Sequence, residues 1–107
     1  MPKIFADVTI VPIGTANTSI SDYVAASERL IKEFPDVAFK INPMSTTLAG
    51  ELDRVLELIR RMHEAQFSQG AYRVSTSIRI DDRRDRGNTM DNKIQSVAQK
   101  AGLPVQF

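Results

Sequence analysis

Four stretches of this chain alternate apolar and polar residues, and the stretches between them switch to a spacing of three and four. That switch restricts the fold more than any other feature. Residues 3–12 place Ile4, Ala6, Val8 and Ile10 on one side and Phe5, Asp7, Thr9 and Val11 on the other, as a strand with one buried face does. Residues 37–43 repeat the pattern, with Val37, Phe39 and Ile41 against Ala38, Lys40 and Asn42. Pro43-Met44-Ser45 then turns the chain into a short strand at Thr46–Gly50, which makes a hairpin. Tyr72, Val74, Thr76, Ile78 and Ile80 alternate with Arg73, Ser75, Ser77, Arg79 and Asp81 in a fourth strand.

Between the first two strands, Ser19 is placed to cap a helix in which Ile20, Val24, Ile31 and Phe34 recur at helical intervals, flanked by Tyr23 and Leu30, until Pro35 forbids continuation. Residues 51–69 carry the clearest helical signal. Leu52, Val55, Leu56, Ile59, Met62 and Phe67 share one side, acidic Glu51 and Asp53 sit at the start, and Gly70 is the expected C-terminal breaker. After a charged turn, Thr89 can cap a last helix bearing Met90, Ile94, Val97, Ala98 and Ala101, closed by Gly102 and Pro104. Val105-Gln106-Phe107 is left to fray or dock.

The order βαββαβα suits a two-layer α+β unit, one face of the sheet under two helices and the other uncovered. Right-handed crossovers and the hairpin favour the split-βαβ, ferredoxin-like arrangement βαββαβ with an added C-terminal helix and antiparallel strand order 4-1-3-2. The uncovered face then carries Phe5, Asp7, Thr9 and Val11, Lys40 and Asn42, Thr47 and Ala49, and Ser75, Ser77, Arg79 and Asp81. Apolar Phe5 and Val11 among hydroxyls and charges mark a surface that meets something. With 107 residues, the expectation is a single domain over 1–107, with a radius of gyration of about 13 Å.

Composition excludes several classes. The absence of cysteine removes disulfide scaffolds, thiol catalysis and cysteine-bound zinc. A formal net charge of +1 gives no reason to expect nucleic acid or an anionic membrane as partner. The start of the chain reads as no secretory signal and no apolar run reaches a membrane span, so a soluble cytoplasmic protein is expected.

Few residues offer chemistry. His63, the only histidine, lacks a placed partner group and reads as a packing residue at the margin of its helix stripe rather than a catalytic base. No metal site is expected, because His63-Glu64 has no second histidine at helical spacing. In Asp81-Asp82-Arg83-Arg84-Asp85-Arg86 the opposite charges cancel, so self-pairing is favoured over a phosphate contact. Gly14 is ordinary turn chemistry without a phosphate-loop fingerprint. Met44 reads as a gap filler, whereas Ser75 and Ser77 are small hydroxyls that leave room above the open face for a bound molecule or a second sheet.

Three stretches together carry a resemblance: Val11-Pro12-Ile13-Gly14-Thr15 with Ser19 and Tyr23-Val24; Asn42-Pro43-Met44 with Thr46 and Gly50; and Met62-His63-Glu64-Ala65 with Thr76-Ser77-Ile78-Arg79-Ile80-Asp81-Asp82-Arg83-Arg84-Asp85. From residue 3 to about residue 100 the chain resembles the small thiamine-binding proteins, also called uncharacterised protein family 45 or domain of unknown function 77, related to the YkoF-type hydroxymethylpyrimidine/thiamine-binding proteins. The resemblance implies a ferredoxin-like subunit in a homotetramer, a dimer of dimers. It also implies binding of thiamine or its pyrimidine moiety as ligand, without turnover and without a cofactor. A receptor for this aromatic cation needs carboxylate or carbonyl acceptors, hydroxyls and an apolar or sulfur-containing wall. Asp7, Thr9, Ser19, Met44, Thr47 and Ser77 offer those groups. Ala49 stands where the family commonly has an acidic residue, which leaves Asp7 as the main carboxylate on the central strands' open face. The competing reading is an interaction protein whose open sheet face serves subunit contact only, and an enzyme is the least supported class.

Overall fold

The computed structural model describes residues 3–16, 20–85 and 90–104. Its elements are β1 (Lys3–Ile13), α1 (Ser21–Glu28), a 3₁₀ helix (Arg29–Glu33), β2 (Ala38–Ile41), β3 (Thr46–Glu51), α2 (Leu52–Ser68), β4 (Arg73–Asp81) and α3 (Met90–Ala101). The four strands form one antiparallel sheet in the order β2-β3-β1-β4, the ferredoxin-like order expected. Ser19 and Thr89, the expected helix caps, and Val105-Gln106-Phe107 lie outside the described residues.

The alternation in β1 resolves as read: Ile4, Ala6 and Val8 are buried toward the helices, while Asp7 and Val11 are exposed on the opposite face. Leu48 of β3, Val55, Leu58, Ile59 and Met62 of α2, and Ile31, Phe34 and Val37 complete the core. α2 ends as its sequence dictates. Gly70 takes φ +104°, where a side chain would be strained, and Ala71 N–H reaches back to Gln66 O at 3.2 Å to close the helix end.

Three features differ from the sequence reading. The first helix is not continuous to residue 34. It gives way to the 3₁₀ helix after Glu28, and that helix ends at Glu33 because Phe34 precedes Pro35 and is driven to φ −125°, ψ 67°, away from the α region. The tighter winding carries Ile31 and Phe34 into the core. Arg54 of α2 clamps the following turn, with its guanidinium 4.4 Å from the centre of the Phe34 ring and Nε and a terminal nitrogen donating to Asp36 at 2.8 and 3.1 Å. Secondly, Leu56 and Phe67 are not core residues. They stay 39% and 40% exposed.

Thirdly, the face expected to be uncovered is partly covered. α3 comes over its Phe5–Asp81 corner: the Lys93 ammonium lies 5.1 Å from the centre of the Phe5 ring and donates to Asp81. Thr9 stays half-buried, and Asp7, Val11, Ser75 and Ser77 stay exposed. The Cα radius of gyration is 15.1 Å, larger than the ~13 Å of an average compact chain of this length, because α3 is added outside the two-layer unit. The charged turn pairs with itself as read, Arg83 with Asp85 at 2.6 Å and Arg84 with Asp82 at 2.8 Å. Among the described residues no helix is long and apolar enough to cross a membrane.

Candidate ligand-binding site

Two concavities flank the turn between β2 and β3. The first, of about 270 Å³, lies on the helical side, between the start of α1, the second half of β1 and the Asn42–Ser45 turn, with Met62 and Gln66 of α2 among its walls. It exists because β1 outruns β3. The β1–β3 ladder stops at Val8–Thr46, whereas β1 continues along β4 to Ile13. The turn takes the place that more β3 would occupy, closed by Asn42 N–H to Ser45 O at 2.8 Å and tied to β1 by the Thr9 hydroxyl, which donates to Met44 O at 3.3 Å.

Val8, Ile10, Ile20, Val24, Ile41 and Met62 make most of this lining apolar. Its polar groups are gathered where α1, α2 and β3 meet. The Thr46 hydroxyl donates to Glu28 Oε1 at 2.5 Å, and the Ser27 hydroxyl donates to Met62 O at 2.8 Å. The side-chain amide of Gln66, a residue only 1% exposed, donates to Tyr23 O at 2.8 Å and to Ser27 Oγ. Since Ser27 spends its proton on Met62, both groups facing the Gln66 nitrogen are acceptors, and this fixes which end of the amide is which. Two acceptor oxygens are left over. Glu28 Oε2 and Gln66 Oε1 are buried with no hydrogen-bond partner among the described residues. A buried acceptor without a donor costs roughly 1–3 kcal/mol, so this wall is short of N–H or O–H groups.

The second concavity, about 400 Å³, lies on the opposite face of the sheet and is lined by Phe5, Asp7, Lys40, Thr47, Arg79 and Asp81, with Lys93 and Ile94 of α3. Asn42 lines both concavities. Its side-chain nitrogen donates to Thr47 Oγ1 at 2.8 Å, and the Thr47 hydroxyl donates onward to Asp7 at 3.3 Å. The bound Lys93 ammonium holds the Asp81 carboxyl below its ordinary pKa.

The residues singled out from sequence are therefore divided. Thr9 and Met44 come together at the first cavity, and Asp7 and Thr47 are joined through one hydrogen bond at the second. Ser77 is paired with Thr9 across β1 and β4 but lines neither concavity, and Ser19 lies outside the described residues. Glu28 and Gln66 escaped the sequence reading. The signal was present: Glu28 continues the Ile20–Val24 spacing, and Gln66 follows Val55, Ile59 and Met62 on the core stripe. A polar residue on an apolar stripe is the informative exception to burial. His63 sits elsewhere on α2, with Nδ1 2.6 Å from Thr76 Oγ1 and its ring edge-on to Phe67 at 5.4 Å.

Fold and cavity together define a ferredoxin-like α+β protein with a ligand-sized, acceptor-bearing cavity beneath its hairpin turn. The sequence matches the family described as thiamine-binding protein over residues 6–98, and the chain belongs to that family. It is 44% identical over 95 residues to the UPF0045 protein YqgV of Bacillus subtilis, covering 86% of this chain and 91% of YqgV. The crystal structure of MJ1052 from Methanocaldococcus jannaschii superposes with a TM-score of 0.83 at 32% identity, covering 92% of this chain and 99% of that one. TM0486 from Thermotoga maritima shares the fold at 19% identity, with a TM-score of 0.73 over 90% of this chain and 99% of its own.

Proposed function

We propose that this protein binds thiamine, or its hydroxymethylpyrimidine moiety, without turning it over, and that the pyrimidine end occupies the cavity beneath the hairpin turn. The observation that supports the reading is a mostly apolar cavity whose lining includes Glu28 and Gln66, each with one buried acceptor oxygen that has no hydrogen-bond partner among the described residues, so that a small side-chain shift turns an acceptor toward a ligand N–H. An aminopyrimidine is the complementary shape of chemistry: a flat apolar ring whose exocyclic amine brings two N–H donors to one edge. At about 270 Å³ the cavity falls just under the ~300 Å³ at which drug-sized pockets begin, so one substituted ring suits it better than the whole vitamin. The thiazolium end then leaves past Met44 and Asn42 at the rim, toward the Asn42–Thr47–Asp7 hydrogen-bonded chain.

Family membership supports a thiamine-related ligand, and TM0486 is itself provisionally described as a thiamine biosynthesis/salvage protein. We place the protein in the cytoplasm as a homotetramer, with no nucleic acid or membrane partner, which is the assembly the family resemblance leads us to expect.

Titration calorimetry with thiamine and with free hydroxymethylpyrimidine tests the reading. Saturable binding of both, weakened at least tenfold by Glu28→Gln, is the expected result. No heat and no thermal shift with either compound at millimolar concentration would remove it and leave a protein that serves subunit contact alone.

A further inference from the structure

One row across the open face of the sheet brings three charged side chains together. The strand registers align Lys40 of β2 with Thr47 of β3, Thr47 with Asp7 of β1, and Asp7 with Arg79 of β4, and all four line the second concavity. Opposite charges set directly across an antiparallel pair ordinarily meet. Asp7 and Arg79 do not. Asp7 Oδ1 takes the Thr47 hydroxyl at 3.3 Å, and the Arg79 guanidinium makes no hydrogen bond or ion pair among the described residues. At the α3 end of the same concavity the charges cancel in place. The Lys93 ammonium donates to Asp81 and lies 5.1 Å from the centre of the Phe5 ring, which leaves Phe5 and Ile94 as an apolar wall. The space, about 400 Å³, has the size of a small-molecule site. It is zwitterionic at one end and neutral at the other.

We propose that this concavity is a second ligand site, for a free α-amino acid with an apolar side chain: the ammonium on Asp7, the carboxylate on Arg79, the side chain against Phe5 and Ile94. The two unpaired charges select the occupant. A simple anion drawn to Arg79 meets the Asp7 carboxylate beside it, and a simple amine drawn to Asp7 meets the guanidinium. A molecule with both charges on one carbon satisfies both residues at once, whereas a residue within a peptide has spent its amine and carboxylate in amides. The planar guanidinium presents two parallel N–H donors, which match a carboxylate. The direction of the neighbouring hydrogen bonds fits the ammonium equally well. Asn42 donates to Thr47 Oγ1 and the Thr47 hydroxyl donates to Asp7, so that hydroxyl has only a lone pair left to offer. Asp7 and Thr47 together then accept two of the three ammonium donors, and the third faces water on the open side.

The side-chain preference follows from the α3 end. Because Lys93 and Asp81 neutralise each other there, a charged side chain has no counter-charge to meet, while an aliphatic one covers the apolar surface of Phe5 and Ile94 and gains by leaving water. Neither Asp7 nor Arg79 lines the cavity beneath the hairpin turn. The amino-acid site is therefore a separate site, independent of which ligand that cavity takes.

Three probes of one carbon skeleton test the proposal: L-leucine, 3-methylbutylamine, which lacks the carboxylate, and 4-methylpentanoate, which lacks the ammonium. Each is titrated into the full chain, without thiamine, while NMR follows the backbone amide shifts. Leucine is expected to give saturating shifts around Asp7, Arg79 and Ile94, with both analogues at least about tenfold weaker, as the loss of one charge-assisted contact implies. Arg79→Gln and Asp7→Asn should each weaken leucine by a similar factor. They should also act oppositely on the analogues: R79Q binds the amine better than the wild-type protein does, and D7N binds the acid better. A merely structural role for either residue would not produce that exchange. The acid or inorganic phosphate binding the wild-type protein as tightly as leucine would make this an anion site and overturn the proposal. The amine doing so would make it a cation site, with the same consequence. No saturation by leucine in the tens of millimolar, or shifts confined to the cavity beneath the hairpin turn, would also overturn it. Every arm is read without thiamine, so a protein that fails to bind thiamine can pass them all and one that binds it can fail them.

Discussion

Gln66 donates its amide to the Tyr23 carbonyl at 2.8 Å, and that one bond joins α2 to α1 across the wall of the cavity. It also settles the fate of the other end of the side chain. With Nε2 committed to Tyr23 and Ser27, Oε1 remains a buried acceptor without a donor among the described residues, as does Glu28 Oε2. The rest of the lining, Val8, Ile10, Ile20, Val24, Ile41 and Met62, is aliphatic or thioether and contributes shape rather than hydrogen bonds.

Glu28→Gln keeps the size of the side chain and one carbonyl oxygen for the Thr46 hydroxyl, but loses the charge and puts an amide nitrogen among the acceptors. A hydrogen bond to a charged group contributes about 1.5–3 kcal/mol, so aminopyrimidine affinity is expected to fall roughly 10- to 150-fold with little change in melting temperature. Calorimetry and a thermal melt of the same preparation read both quantities. Equal affinity in wild type and variant would place the ligand elsewhere.

Gln66→Leu separates recognition from stability differently. It removes the donorless oxygen but leaves Tyr23 O and Ser27 without their amide donor, so the two effects on folding oppose each other and the net change is expected within about 2 kcal/mol. Ligand affinity, in contrast, falls at least about fivefold, since about 1 kcal/mol is the usual worth of a neutral hydrogen bond. Urea denaturation alongside titration distinguishes this from simple unfolding.

Much of this was legible before any coordinates. Strict alternation assigned Asp7, Thr9 and Thr47 to one face and Ile4, Ala6 and Val8 to the other, because a strand has no third direction for a side chain. Pro35 marked where the first helix must stop, but not that the chain would tighten to 3₁₀ winding after Glu28, which is decided by where Ile31 and Phe34 find the core. Nor does an amphipathic pattern say which surface a helix will choose. The seat of α3 on the Phe5–Asp81 corner depends on Lys93 meeting the Asp81 carboxylate at the end of the preceding strand and the Phe5 ring at the other end of the chain, contacts that no periodicity announces. The cavity was illegible for a similar reason: it arises from unequal strand lengths and from the path of the Asn42–Ser45 turn. Only its two polar intruders, Glu28 and Gln66, left a signal in the sequence, as breaks in apolar stripes that the sequence reading passed over.

Leu58 is completely buried in the layer between α2 and the sheet. Truncation to alanine removes apolar contacts and leaves a cavity, at a cost of about 2–5 kcal/mol. At several degrees per kcal/mol for a domain of this size, the melting temperature is expected to drop by about 10 °C or more. A smaller loss, measured by calorimetric melting, would mean that α2 settles into the gap.

Acid should loosen two clamps. Arg54 holds the Asp36 carboxyl below its ordinary value, chiefly through their side-chain hydrogen bonds, and Lys93 does the same for Asp81. For a carboxyl whose folded pKa is depressed, the unfolded chain binds protons more readily. The stabilisation is therefore fully present above the reference value of 3.8 and is lost as the pH falls through the lower folded value. Nothing comparable is expected from these two groups between neutral pH and about pH 5. Asp36→Asn and Asp81→Asn should each flatten the acid limb of the stability curve, with D81N also increasing hydrogen exchange in α3 at neutral pH, where the wild-type helix is still held by Lys93. Unchanged α3 exchange in D81N would show that Ile94 and the buried Ala98, rather than the ion pair, seat this helix on the sheet.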